Sequence, residues 1–333
     1  MWNCPLIKHN LLHKPVRNLK RMFGRLLEDL DIIAVGAAYR HNVRATLSEQ
    51  YAFSIVTGAV DTLKIKNSVN LSSGDLFVSG RVTWTGSSSL EVKLDVYQDS
   101  NSGSIEILDA YFLLVARHCY INKAVFVNPL KICTDQEKID FEKGEQSKLR
   151  RKLDAQQSLL KTTPNDEESD LIHNVYLNRY HSNFQKPVNS VFMKDALLKN
   201  YVLCFPQQRN LYNKIFGGFL MRQALELSWT AAYVYCQSPI KHLIISDLNF
   251  RHPVEIGTIL LMSSQIIFTK NNLVSTRCHA QSLDPITGKR VTTNDFHFVF
   301  ESEKPLRELI PETYKEYILH IFGRRRFQKL NLI

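Results

Sequence analysis

Asn210-Leu-Tyr-Asn213-Lys-Ile-Phe-Gly217-Gly218-Phe-Leu-Met-Arg-Gln-Ala-Leu-Glu226-Leu-Ser-Trp229 reads as a loop that breaks at two glycines and runs into a helix. From Phe219 to Tyr235 the only charged residues are Arg222 and Glu226, so apolar side chains cover almost the whole circumference. A helix of that kind is enclosed by protein rather than laid on a surface. Its first turn offers N–H groups with no intrahelical partner and the positive end of the helix dipole. Two glycines at that place let another backbone, or a ligand, come close. The stretch predicts a buried helix whose start is shaped to receive something electron-rich.

An earlier stretch has the same character. Phe23-Gly24-Arg-Leu-Leu-Glu28-Asp29-Leu-Asp31 opens a helix running to about His41, and Ile32 to Tyr39 carry no charge. Gly24, Leu27, Asp31, Val35 and Ala38 fall on one stripe at helical spacing, whereas Glu28 and Asp29 lie off it and are expected in solvent. An acid within an apolar stripe is either satisfied by a helix N-terminus or catalytic.

Each helix is followed by strand-like runs: Ala52–Ile65, Leu76–Trp84, Leu90–Tyr97 and Ile105–Ala116 after the first, then His242–Arg251, Thr258–Thr269, Leu273–Ser282 and Arg290–Glu301 after the second. Trp84-Thr-Gly-Ser87 matches Phe268-Thr-Lys-Asn271 at a hairpin, and Leu108–Phe112 matches Asn294–Phe298 in the last strand. The shared order of these matches makes the chain two copies of one α+β unit, a helix wrapped by an antiparallel sheet. The expected division is a basic lead-in over 1–15, a first unit over 16–118, a charged connector with one exposed helix over 119–199, a second unit over 200–303 and a tail over 304–333.

Bulk properties narrow the function. The 333 residues are 44% apolar and 22% charged, a globular balance, and no run approaches the ~20 apolar residues that span a bilayer. Six cysteines lack CxxC or metal-finger spacing, so reduced thiols, no structural zinc and a cytosolic or matrix compartment are expected. The net charge of +10 comes without a long Lys/Arg block interleaved with aromatics, which argues against nucleic acid and leaves a small polyphosphate ligand compatible. Arg324-Arg325-Arg326 reads as a solvated tail. Residues 1–27 contain no acid but six Lys and Arg, which is consistent with a mitochondrial presequence or a solvated lead-in.

Together these residues resemble the hotdog-fold acyl-CoA thioesterases, in particular the double-hotdog mitochondrial acyl-CoA thioesterase 9 subfamily. Phe23–Asp31 looks like its first-helix signature and Arg209–Arg222 like its second. Phe250-Arg-His-Pro253-Val-Glu-Ile-Gly257 and Thr292–Phe298 look like later strands. The likeness spans roughly residues 16 to 320. It implies a hotdog fold in each half, packed as an intrachain pseudo-dimer, hydrolysis of acyl-CoA without a cofactor, a mitochondrial location and assembly of pseudo-dimers into a homo-oligomer. The region before the first helix is short for the family, so an N-terminal strand is expected to be missing from the first unit.

Thioester hydrolysis needs a polarised carbonyl, a positioned water and a base. The N–H groups at Gly217 and Gly218 suit the oxyanion, with an amide side chain assisting, and a carboxylate can take the proton from water. The absence of GxSxG leaves no support for a serine triad. The halves differ. Asp31 follows Gly24 by seven residues while Leu225 follows Gly218 by seven; Asn213 precedes Gly218 by five while Leu19 precedes Gly24 by five. A composite site would unite Asp31 with Asn213 and Gly218, and leave Leu19 and Leu225 in a vacant one. Alternatives stay open: Asn213 could cap or brace the loop, Asn210 is near enough to blur the register, and Asp31 could be a structural acid. Glu226 could be the base or could pair with Arg222 four residues earlier. A hydroxyacyl-CoA dehydratase and a non-catalytic acyl-CoA sensor are the rival functions. The first lacks a histidine in Asn210–Gly218.

Overall fold

Two long helices lie on the inner face of one continuous antiparallel sheet in a computed structural model of the chain, which describes residues 19–42, 53–61, 63–67, 75–100, 103–118, 123–159, 162–180, 187–210 and 212–332. The first unit consists of α1 (Leu19–His41), β1 (Phe53–Val60), β2 (Leu63–Ile65), β3 (Leu76–Thr85), β4 (Ser89–Ser100) and β5 (Gly103–His118). Then come α2 (Asp135–Gln156), α3 (Asp166–Tyr180) and β6 (Ser190–Phe192). The second unit has β7 (Leu197–Leu203), α4 (Gly217–Cys236), β8 (Ile240–Phe250), β9 (Ile259–Lys270), β10 (Leu273–Leu283) and β11 (Arg290–Ser302), followed by β12 (Glu308–Ile310) and α5 (Tyr314–Lys329). Every strand expected from alternation is present, within a few residues of its expected bounds. The first helix starts about a turn earlier than read.

The strand order β3-β4-β5-β1-β8-β11-β10-β9-β7 makes the two units one sheet. They join where Ala59 and Val60 of β1 pair antiparallel with Asn249 and Leu248 of β8, and β2 bridges the seam by pairing with both β5 and β8. The fold is thus two helix-plus-sheet units in tandem, as expected. Alternate residues of the strands face the helix pair: Phe296, Phe298 and Phe300 of β11 are buried, with Phe300 edge-on to Trp229 of α4 at 5.3 Å. Trp229 and the buried Phe219 are core residues.

Three readings need correction. The tail over 304–333 is a packed helix: Thr313 and Glu316 form a capping box at the start of α5, and Phe327 is fully buried. The connector over 119–199 carries two helices, and α2 begins with the matching capping box of Thr134 and Glu137. Ten residues after each capping threonine stands a glycine. A Cβ on Gly144 would lie 2.4 Å from Trp84 Cβ, and one on Gly323 would lie 2.4 Å from Phe268 Cβ. Trp84 and Phe268 are the residues already matched between the units. The repeat therefore includes a helix laid across the outer face of each sheet, touching it at a glycine. Finally, Arg325 is no solvated tail residue but donates to both carboxylate oxygens of Glu168 on α3 at 2.6 and 2.7 Å, and Arg326 is buried.

The two inner helices are less enclosed than their composition suggests. Ile32 on α1 and Val234 on α4 are 56% and 58% exposed, because the helices cover each other and the sheet but not their outward sides. Among the described residues β3 ends the sheet on the first unit, whereas β7 lies beyond β9 on the second. Residues 1–18, to which the expected missing strand and the basic lead-in refer, lie outside the described residues.

Candidate active site

Helices α1 and α4 run antiparallel in close contact, and glycine makes the approach possible. A Cβ on Gly218 would stand 2.8 Å from Glu28 Cα, and one on Gly24 would stand 2.8 Å from Arg222 Cγ. Gly24 corresponds to Gly218 and Glu28 to Arg222, so the register read from spacing is the register of the fold. Glu28 is a correction: it is 8% exposed, and its Oε2 accepts from Arg222 at 3.1 Å and Arg25 at 2.7 Å. Spacing could not reveal this, because the face it occupies is covered by the other helix rather than by the sheet.

Asp31 is 1% exposed and sits over the start of α4. Its Oδ2 accepts the Gly218 N–H at 2.7 Å, and its Oδ1 accepts the Thr57 hydroxyl at 2.5 Å. Gly217 leaves the room: a Cβ there would lie 3.0 Å from Asp31 Oδ2. Burial pushes the Asp31 carboxyl up to about 6, and the bonds from Thr57 and Gly218 pull partly against that. A carboxylate poised just below neutrality, fixed by two donors, is suited to taking a proton.

The loop before α4 is held by its own backbone. Asn210 N–H donates to Lys214 O at 2.7 Å, and Phe216 N–H donates to Gln208 O at 2.8 Å. Asn210 Oδ1 accepts the N–H groups of Tyr212 at 2.9 Å and Lys214 at 3.1 Å, which leaves its NH2 as the donor end of the side chain. Asn213 is exposed at φ 56°, a left-handed position that asparagine tolerates. Tyr212 ties the loop to the first unit: its hydroxyl donates to Phe53 O at 2.7 Å and meets the Tyr39 hydroxyl at 2.8 Å, which accepts the Ile55 N–H at 3.0 Å. Phe53 and Ile55 lie on β1 before it meets β8, so the two tyrosines satisfy an otherwise open strand edge.

Of the residues expected from sequence, Asp31, Gly217 and Gly218 come together, with Asn210 in the adjoining loop. Asn213 is an exposed residue of that loop at its left-handed turn position. Glu226 lies two turns along α4, 44% exposed and 3.6 Å from Arg222, in the pairing geometry. Among the described residues the equivalent place in the first unit has no open helix-start donor, since α1 has already begun at Leu19 and Gly24 lies inside it. Leu225 is buried there. Thr57, Tyr39 and Tyr212 escaped the sequence reading. The one signal for Thr57 was Thr57-Gly58 inside a strand, where the register with β5 slips and re-aims the side chain. Among the described residues no cluster of His, Cys, Asp and Glu could hold a metal, and no helix is long and apolar enough to cross a membrane.

No family model matches the chain. It is 38% identical over 322 residues to mitochondrial acyl-coenzyme A thioesterase 9 of Bos taurus and of Homo sapiens, covering 95% of this chain and 73% of each relative. It is 37% identical over 323 residues to mitochondrial acyl-coenzyme A thioesterase 10 of Mus musculus, with the same coverage. A solved structure named as an oleoyl thioesterase from Lactobacillus plantarum has the same fold, with a TM-score of 0.50 and 9% identity over 83% of this chain and 88% of that one. With two inner helices meeting at glycines, a doubled unit and this identity along nearly its whole length, the chain belongs to the family of the acyl-CoA thioesterases 9 and 10.

Proposed function

We propose that the chain hydrolyses acyl-CoA thioesters to a free fatty acid and CoA at one site built from both halves. Asp31 of the first half is the general base, and the start of α4 with Asn210 binds the oxyanion. The observation that carries the assignment is the 2.7 Å bond between Asp31 Oδ2 and the Gly218 N–H, which sets a buried acid at the only glycine-led helix start of the pair.

A water beside Asp31 gives its proton to the carboxylate as its oxygen attacks the thioester carbon. The carbonyl oxygen gains the charge and is held by first-turn N–H groups of α4 other than that of Gly218, which Asp31 holds, and by the Asn210 NH2, the donor end of a side chain whose Oδ1 already accepts two backbone N–H groups. The tetrahedral intermediate collapses by breaking the C–S bond, and the protonated Asp31 returns its proton to the leaving thiolate. No nucleophilic side chain and no cofactor enter these steps. Asn213, expected in this role from spacing, serves the turn instead in this reading, and Glu226 pairs with Arg222.

Thiol release from acyl-CoA, followed with a chromogenic thiol reagent, tests the proposal. Asp31→Asn should lower kcat by ~10²–10⁴ while CoA binding persists. Near-native turnover in that variant would remove Asp31 as base, and no thiol release by the wild type would favour an acyl-CoA sensor. A mitochondrial location and assembly of pseudo-dimers into a homo-oligomer complete the reading. Organelle fractionation and sedimentation examine them.

A further inference from the structure

The outer faces of the two sheet units carry the same positions with different chemistry. In the first unit Arg81 of β3 stands opposite Lys93 of β4, and Ser79 opposite Asp95. Arg81 bonds Asp95 at 2.9 Å and Asp140 of α2 at 3.2 Å, and Lys93 bonds Asp95 at 2.8 Å, so the seam between sheet and helix is closed by ion pairs. In the second unit the same register sets Gln265 opposite Arg277 and Ser263 opposite His279. The matching capping boxes put Leu319 where α2 has Asp140, and Lys315 where it has Gln136. Both acids that close the first seam are thus replaced.

What takes their place is an open pocket lined by Lys199, Ser263, Gln265, Arg277, His279 and Lys315. One carboxylate stands behind it. Asp295 is buried and accepts from Arg277 at 2.5 Å, His279 Nδ1 at 2.9 Å and Arg251 at 3.0 Å, which orients Arg277 and His279 without covering them. Against this single acid stand Arg251, Arg277, Lys199 and Lys315. A guanidinium braced from behind, two ammonium groups, an imidazole and two neutral polar side chains make a set that recognises phosphate oxygens.

The pocket is remote from the thioester. Cys278, between Arg277 and His279, faces Ser228 of α4, so its neighbours point to the opposite side of the sheet. Lys199 is five residues from Cys204, where β7 gives way to the loop before α4, about 16 Å of strand. We propose that this pocket binds the phosphate group of a small phosphate ester, away from the reacting carbonyl and independently of the catalytic assignment.

Inorganic phosphate titrated into the full chain at constant ionic strength, followed by its ³¹P line width, provides the test. Saturable broadening is expected, weakened about tenfold in Lys199→Gln/Lys315→Gln. The matched double variant Lys143→Gln/Lys148→Gln on α2 should leave it unchanged. Absence of saturation, or equal weakening in both double variants, overturns the site. Steady-state kinetics then separates two sources of the group. A KM raised for acyl-CoA but not for acyl-dephospho-CoA would assign the pocket to the substrate's own 3′-phosphate. Equal, unchanged KM values would assign it to a separate phosphate compound.

Discussion

Gly24 and Gly218 occupy corresponding places on the two facing helices, yet only Gly218 has an N–H that its own helix does not use. Helix α1 begins at Leu19, so the Gly24 N–H lies within the hydrogen-bonded body of the helix, whereas α4 begins at Gly217 and gives the Gly218 N–H to Asp31. Among the described residues the mirrored place, where Leu225 of α4 faces the start of α1, therefore has neither an open helix-start N–H nor an acid. Calorimetry with a non-hydrolysable acyl-CoA ether should find one molecule bound per chain. Leu225→Asp should not create a second active site, since it restores the acid without the donor. Two equivalent sites per chain would contradict this asymmetry.

Asp31 ties activity and stability to pH in opposite directions. Burial raises its carboxyl from 3.8 to about 6, so the folded chain holds the proton more tightly than the unfolded one. Its contribution to stability is fully present below about pH 4 and is lost as pH rises through about 6, the reverse of an ion-paired acid. The gap corresponds to about 3 kcal/mol once the group is ionised. Asp31→Asn should therefore match or exceed the wild-type Tm at pH 8, and the advantage should vanish near pH 4. The same ionisation activates the base, so wild-type kcat/KM should climb through about pH 6 and then level. A flat profile between pH 5 and 8, as the order-of-magnitude window around that value, would detach Asp31 from the reaction.

The two asparagines of the loop give a clean contrast. Asn210→Ala removes the donor NH2 and the acceptor of two backbone N–H groups, so kcat should fall by ~10²–10³. Asn213→Gly keeps the left-handed turn at φ 56° and should retain turnover, with stability changed by less than about 1 kcal/mol. Asn213→Val, which resists that backbone, should destabilise. The opposite ranking in kcat would return the oxyanion amide to Asn213.

The doubled unit, the strands and the helix register were legible because alternation and helical spacing are one-dimensional signals, and Gly24, Asp31, Gly217 and Gly218 stand in them directly. Asn210 and Asn213 could not be separated by spacing, since both precede the glycines and only the backbone shows that Asn210 Oδ1 accepts two loop N–H groups while Asn213 takes the left-handed turn position. Glu28 looked solvated because a second helix, distant in sequence, covers it. Gly144 and Gly323 were invisible for a similar reason: the helices carrying them are charge-rich, and only their contact with Trp84 and Phe268 reveals packing. Tyr212 and Tyr39 are 173 residues apart, so no local pattern joins them.

Those two tyrosines hold the loop in place. Ile55 N–H donates to the Tyr39 hydroxyl, which can donate only to Tyr212, whose hydroxyl donates to Phe53 O. Tyr212→Phe breaks the chain in the middle, leaving Phe53 O without its donor and Tyr39 without its acceptor, at a cost of about 1–3 kcal/mol. Because the loop carrying Asn210 is fastened to β1 at this point, kcat should drop about tenfold with KM little changed, as expected for an amide displaced from the oxyanion rather than lost. Tyr39→Phe should do less, since Tyr212 keeps Phe53 O. The double variant should cost less than the sum of the two, because both residues belong to one hydrogen-bonded chain. Strict additivity in a double-mutant cycle, followed by kcat and by Tm, would mean that the tyrosines act separately and that the loop is held by its own backbone alone.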